Sequence, residues 1–234
     1  MKKIKYLHWD SEFFGKKIGH LFASETSDLG GILSEAEKED YRLVYVFGNE
    51  NFYVNENLLK HFSGHLADRK VLYEKKVEFS QGQSSPVFEY KDKELTFELE
   101  QLSYESGKYS RFRLDPNFKQ DDFYRMYKIW ILKSLTKEMA DNVFVVKEDD
   151  VVKGMITLKI DGTKGHIGLF AISPDMQGKG YGKALVHACE NELLNKNRNE
   201  LEVPTQIKNR QACKFYEKYG FQIKTINNIY HFWL

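Results

Sequence analysis

At 234 residues and 27.5 kDa the chain is long enough for one large domain or two small ones. Hydrophobic residues make up 41% and charged residues 29%, while 35 lysines and arginines against 34 aspartates and glutamates leave a net charge of +1. That balance excludes a global positive field for nucleic acid or acidic membrane, so any anion binding has to be local.

The chain opens on MKKIKYLHWDSEFFG, whose basic residues are not followed by an apolar stretch, and no run reaches the length of a membrane span. A cytoplasmic location is therefore expected, with no membrane and no nucleic-acid partner. In the amino-terminal half, strands are expected at 18–24, 42–47, 71–79 and 95–99, and helices at 29–39 and 55–64. SQGQSSP, residues 80–86, reads as a linker. Apolar content falls only near 103–108, which places the expected boundary between a domain 1–105 and a domain 106–234.

The second half parses more cleanly. Residues 119–140 place Phe123, Met126, Tyr127, Trp130, Ile131 and Leu135 at helical spacing. NVFVVKEDDVVKGMITLKI predicts two strands about an acidic turn, and GHIGLFAISP a strand stopped by Pro174. SPDMQGKGYGKAL then opens a helix on which Leu185, Ala188, Cys189 and Leu193 share a face. LEVPTQI follows as a strand whose proline suits an edge, a bulge or a splayed pair. NRQACKFYEKYG predicts a helix capped by Asn209 and ended by Gly220, and FQIKTINNIYHFWL closes as one or two strands. Cys189 and Cys213 lie on apolar helical faces without metal-ligand spacing, so buried thiols and no metal are expected.

Gly178, Gly180 and Gly182 precede a helix, a combination of permissive backbone and unpaired N–H groups that suits an anion such as phosphate. A Walker-type loop fails, because Gln177 and Ala184 stand where it needs a glycine and a serine or threonine. A dinucleotide fingerprint fails because Lys183 takes the place of its third glycine. What fits is Gln-x-x-Gly-x-Gly through Gln177, Gly180 and Gly182, followed at one helix and one strand by Asn-x-x-Ala-x-x-x-Tyr-x-x-x-Gly-Phe through Asn209, Ala212, Tyr216, Gly220 and Phe221.

On these two motifs the chain, over roughly 115–234, resembles the GNAT superfamily of acyl-CoA-dependent N-acyltransferases. The resemblance implies an α/β fold with a mixed, mostly antiparallel sheet, a splayed central strand pair flanked by helices, and a smaller amino-terminal α/β domain. It implies acetyl-CoA as acyl donor, lying between the GHIGLFAIS and LEVPTQI strands. Backbone groups of Phe170, Ala171 and Ile172 would then meet the pantetheine arm. Backbone N–H groups of Gln177, Gly178, Lys179, Gly180, Tyr181 and Gly182 would take the pyrophosphate, with charge from Lys179 and Lys183. Asn209 would combine helix capping with a pantetheine contact, and Tyr216 would be the catalytic donor to the departing thiolate.

Transfer to an amine needs a neutral nucleophile, stabilisation of charge at the thioester carbonyl, and a proton for the thiolate. With reference pKa values near ~10 for tyrosine and ~8.5 for a thiol, complete transfer from Tyr216 is uphill by roughly 2 kcal/mol, so hydrogen-bond donation or a relay is the expected role. The general base stays open among His166, Glu202 and a water chain.

LHWDSEFFG, SRFRLDP and the closing YHFWL are similar to bacterial nucleotide-sugar N-acetyltransferases of the dTDP-fucosamine acetyltransferase type. That similarity implies the 4-amino group of a dTDP-4-amino-4,6-dideoxy sugar as acceptor, and a place in surface-polysaccharide, lipopolysaccharide-type biosynthesis. Arg111 and Arg113, on one face of an extended SRFRL, would fork onto the two phosphates, and Trp9, Phe13 or Phe14 would stack on the thymine. A peptide amine is the alternative acceptor, and a non-catalytic acyl-CoA sensor the alternative class. The terminal strand could pair with a second copy in a homodimer, or serve the core.

Overall fold

Two left-handed aspartates make a two-residue turn in the carboxy-terminal half. Asp149 and Asp150 adopt φ of 50° and 62° between β6 (Asn142–Glu148) and β7 (Val151–Asp161), the positive-φ pair that matches the twist of a two-residue hairpin. The computed structural model containing this hairpin describes residues 4–24, 28–78 and 87–234, and the chain divides into two compact units.

The first unit comprises 1–71, 206–208 and 225–234. It holds β1 (Lys5–Tyr6), α1 (His8–Phe14), β2 (Ile18–Phe22), α2 (Leu29–Lys38), β3 (Leu43–Asn49), α3 (Glu56–His61), the start of β4 (Gly64–Lys76) and most of β10 (Gln222–Phe232). These strands run in the order β1-β2-β3-β10-β4. Asp28 and Asn55 start α2 and α3 by accepting the N–H groups of Gly31 and Leu58, at 3.0 and 2.9 Å. Leu33, Val44, Val46, Tyr230 and Phe232 form the core, and β10 pairs antiparallel with β3 from Asn227↔Asn49 to Phe232↔Val44. Tyr230 and Phe232 of the closing segment are thus interior to this unit, while Trp233 is partly exposed.

The second unit comprises 72–205 and 209–224, with sheet order β4-β9-β8-β7-β6-β5. Besides the hairpin it contains β5 (Val87–Glu89), α4 (Phe97–Ser106), α5 (Arg111–Leu114), α6 (Gln120–Leu135), β8 (Lys164–Ile172), α7 (Tyr181–Asn195), β9 (Glu200–Gln206) and α8 (Arg210–Lys218). Helices α4, α6 and α7 pack on its strands. Among the described residues, no helix is long and apolar enough to cross a membrane.

Several expectations are corrected. Residues 95–99 are not a strand: Thr96 caps α4, accepting the Leu99 N–H at 3.4 Å, Glu98 and Glu100 sit in its first turn, and Leu99 and Leu102 share a buried face. SRFRL is not extended either, because Ser110 accepts the Phe112 N–H at 3.3 Å and starts the single-turn α5. The strand expected at 71–79 begins at Gly64, since α3 ends at His61 and the polar residues that follow pair through their backbone. The division into units falls inside β4, at Val71 and Leu72, rather than at 105/106; the expected boundary would detach α4 from β7 and β8, on which it packs. The linker expected at 80–86 lies outside the described residues.

Candidate functional site

Strands β8 and β9 run parallel but pair only from Lys164↔Glu200 to His166↔Glu202. Beyond that they separate, and Pro204, without an N–H, lies on the separated stretch of β9. Which backbone groups face the opening follows from the β7 side. Ser173 donates its N–H to the Lys153 carbonyl at 2.8 Å, so strand alternation points the N–H groups of Ala171 and Leu169 towards β7 and those of Phe170 and Ile172 towards the opening. The Ile172 carbonyl agrees, accepting the Gln177 side-chain amide at 3.2 Å.

After β8 a short 3₁₀ turn, Pro174–Met176, leads into the glycine segment. Gly178 and Gly180 take φ of 80° and 89°, and a Cβ at either would meet nothing within 4 Å. The backbone here is left-handed, open and bare of side chains. Gly180 precedes α7, whose first N–H groups receive no side-chain cap and carry the positive end of a fifteen-residue helix. Gly182 serves differently: a Cβ there would come within 3.3 Å of Phe215, so its absence lets α7 approach α8. Gln177 ties the segment down, since its Oε1 also accepts Gln211 Nε2 of α8 at 2.9 Å. Lys179 and Lys183 are exposed, Lys179 with its Nζ 3.8 Å from the Glu148 carboxylate.

Helix α8 starts at Asn209, whose Oδ1 accepts the Ala212 N–H at 3.2 Å, and carries Tyr216 inward. The Tyr216 ring is 4% exposed and touches Phe215, Phe221, Tyr73 and Phe170, at centroid distances of 5.4, 5.5, 5.6 and 6.4 Å. Burial, reinforced by Cys213, pushes its phenol well above the ordinary tyrosine pKa, so it stays protonated as a donor. Tyr73, on β4, donates to Glu217 Oε1 at 2.8 Å and shares a hydrogen bond with the Cys213 thiol. Cys189 is fully buried and Cys213 only half-buried.

Where the opening begins, four charged or titratable side chains converge. Glu202 accepts Lys164 and Lys224, each at 2.8 Å, and lies 3.4 Å from His166 Nδ1. Burial pushes the Glu202 carboxyl up, but the two lysines outweigh it and hold it below the usual glutamate range. A carboxylate so paired is a poor proton acceptor. His166 is partly exposed; it pairs with Lys159 and Phe170 pairs with Ile156, three residues apart on β7, so the two side chains leave β8 on opposite faces.

The residues expected to hold an acceptor fall into two groups. In the first unit, Trp9 and Phe13 of α1 stack at 4.9 Å with 9° between planes, and Phe14 meets Phe13 edge-on at 4.8 Å. In the second, Arg111 lies over Phe112 and Arg113 over Phe123, at 4.5 and 5.3 Å. Arg113 and Lys119 also line a cavity of about 240 Å³ with Phe112, Phe118, Phe123 and Tyr124. Asp115 also lines it, its carboxylate engaged by the N–H and amide of Asn117 at 3.0 Å. Lys119, Tyr124, Tyr73 and Gln211 escape a sequence reading, because their relevance comes from partners in other elements.

The model of the acetyltransferase (GNAT) family matches residues 97–221, which takes in both glycine segment and Tyr216. The chain is 27% identical over 107 residues to N-alpha-acetyltransferase 30 of Schizosaccharomyces pombe, covering 44% of this chain and 71% of that protein. It is 25% identical over 134 residues to the spore coat polysaccharide biosynthesis protein SpsD of Bacillus subtilis, covering 57% of this chain and 46% of that one. In structure it is similar to a GCN5-related N-acetyltransferase from Sphaerobacter thermophilus, with a TM-score of 0.54, 12% identity, and coverage of 97% of this chain and 75% of the other.

Proposed function

Because the chain belongs to the GNAT acetyltransferase family and is an acetyl-CoA-dependent N-acetyltransferase, we propose that its acceptor is the 4-amino group of a dTDP-linked 4-amino-4,6-dideoxy sugar. The observation that carries this reading is the cavity behind α5. Phe112 and Tyr124, the partly exposed aromatics of its wall, offer stacking to a base, while Arg113 and Lys119 offer charge to a diphosphate. At about 240 Å³ it falls below the ~300–1,000 Å³ of sites that enclose a whole drug-sized ligand, which suits part of a nucleotide sugar. The similarity to SpsD, named for spore coat polysaccharide biosynthesis, supports a place in polysaccharide synthesis.

The donor side follows from the chain's own groups. Acetyl-CoA, when bound, supplies an acyl group activated by its thiolate leaving group. The Ile172 N–H offers a ladder edge to its pantetheine amides, as an absent strand would, and leaves the Phe170 N–H to the acyl carbonyl. The open backbone at Gly178 and Gly180 and the uncapped start of α7 offer N–H groups and positive potential to its pyrophosphate, with Lys179 and Lys183 beside them. Asn209 holds α8 so that Tyr216 presents a protonated phenol to the departing sulfur. His166 accepts the amine proton, with Glu202 fixing its ring through Nδ1, whereas Glu202 itself is committed to two lysines.

The test is inhibition by dTDP. It should compete with the amino sugar but not with acetyl-CoA, and Arg113→Ala should raise KM for the sugar about tenfold, as loss of a charged hydrogen bond does. No inhibition, together with an unchanged KM in Arg113→Ala, would remove the cavity from acceptor binding. A peptide acceptor is the second reading, favoured by the similarity to N-alpha-acetyltransferase 30.

A further inference from the structure

We infer that Thr157 is a positioning residue for acyl transfer, its hydroxyl holding a bulge in β8 that aims the Phe170 N–H into the opening between β8 and β9. This rests on the reading of that opening as the acyl site.

Strands β7 and β8 pair in two registers. Gly154↔Ile172, Met155↔Ala171 and Ile156↔Phe170 follow one, and Leu158↔Ile167 and Lys159↔His166 the other. Between them a single residue, Thr157, stands opposite two, Gly168 and Leu169. The extra residue belongs to β8, and at such a bulge the main-chain ladder is interrupted. Here a side chain repairs it: Leu169 donates its N–H to Thr157 Oγ1 at 2.8 Å. Thr157 is 3% exposed, so water is a poor substitute for that acceptor.

Gly168 shows how closely the bulge is packed. A Cβ at Gly168 would stand 2.9 Å from the same Thr157 Oγ1, closer than real Cβ atoms approach. With Leu169 N–H turned to β7 by Thr157, the next N–H along the strand, that of Phe170, turns the other way. It is thereby set as a fixed donor towards the carbonyl oxygen of a bound acyl group, where negative charge develops as the amine attacks. Sequence alone does not reveal this, because Thr157 lies in a strand of β-branched residues where a threonine is unremarked.

Thr157→Val keeps the branched shape and removes the acceptor, and Thr157→Ser keeps the acceptor. The expected result is that Thr157→Val loses at least about tenfold in kcat, within the range for disturbing one such donor. Calorimetric affinity for CoA, which has no acyl carbonyl, should stay within about threefold of wild type, and the Leu169 amide should lose protection from hydrogen exchange. Thr157→Ser should restore kcat. Gly168→Ala, pressing on the same hydroxyl from β8, provides a second test should the valine variant fail to fold; it too should lose kcat and keep CoA.

A valine or alanine variant with kcat within about twofold of wild type would overturn the role, as would a serine variant no better than valine. A parallel fall of kcat, CoA affinity and melting temperature would also overturn it, since plain packing loss gives that pattern. Failure of the premise looks different: wild-type protein would bind no CoA, and the role would fall with it.

Discussion

Tyr216→Phe removes one oxygen and keeps the ring. The four neighbours of Tyr216 at 5.4 to 6.4 Å are all ring contacts, so the substitution should cost less than about 1 kcal/mol of stability and shift Tm by under about 4 °C. Its effect on turnover follows from the phenol's acidity. Even an ordinary tyrosine lies ~1.5 pKa units above a thiol, and burial pushes Tyr216 higher, so full proton transfer to the thiolate is uphill by more than about 2 kcal/mol. The phenol therefore acts by hydrogen bonding. A hydrogen bond to a charged group is worth about 1.5–3 kcal/mol, which at ~1.36 kcal/mol per tenfold predicts a loss of about 10- to 150-fold in kcat. Because the phenol stays protonated, wild-type kcat should show no alkaline limb from it below about pH 10. The assay is thiol release at saturating acetyl-CoA, with CoA affinity measured separately by calorimetry. A kcat within about twofold of wild type, or a fall in CoA affinity matching the fall in kcat, would refute the reasoning.

Three further outcomes follow from the geometry. Gly178→Ala and Gly180→Ala force a side chain into left-handed backbone at a cost of about 1–2 kcal/mol each, and should raise KM for acetyl-CoA far more than they change kcat; an unchanged KM would separate the glycines from donor binding. Lys75→Met strips Glu190, a carboxylate 6% exposed, of a partner at 2.6 Å and should destabilise the fold by about 3–5 kcal/mol, which chemical denaturation would show; a loss below about 1 kcal/mol would mean that Tyr219 and His187 suffice. Glu202→Gln should cost about 1–3 kcal/mol at pH 7. Because the folded carboxyl titrates below its unfolded value, that contribution is present above the unfolded pKa and fades as the pH falls through the folded one. The two melting curves should thus converge in acid, and a gap that widens on acidification would contradict the assignment.

The carboxy-terminal elements were legible because pattern and chemistry agree there. Residues 120–135 repeat apolar positions at helical spacing, the two strands flank an acidic turn, and Pro204 announces a strand that does not stay paired. The glycine segment was legible as open backbone, although its three glycines turn out to differ: two for positive φ and one for the approach of Phe215. Residues 95–99 misled because a short apolar run fits either period, and the cap at Thr96 decided it. SRFRL misled because Ser110 diverts the chain into a helical turn, which removes the strand alternation that would have put both arginines on one face. The β8 bulge was illegible in principle: it is a mismatch of register between two strands, visible only once Thr157 stands opposite Gly168 and Leu169. Gln177 was legible as a motif residue, but its partner Gln211 lies 34 residues away on another element.

The most direct measurement is the release of free thiol from acetyl-CoA by the purified protein, with dTDP-4-amino-4,6-dideoxygalactose and a mixed peptide pool offered separately. Release with the sugar nucleotide and not with the peptides is the predicted result, with stoichiometric N-acetylation at the sugar amine. Release with the peptides alone would contradict the nucleotide-sugar acceptor while leaving the acyl-transfer site intact.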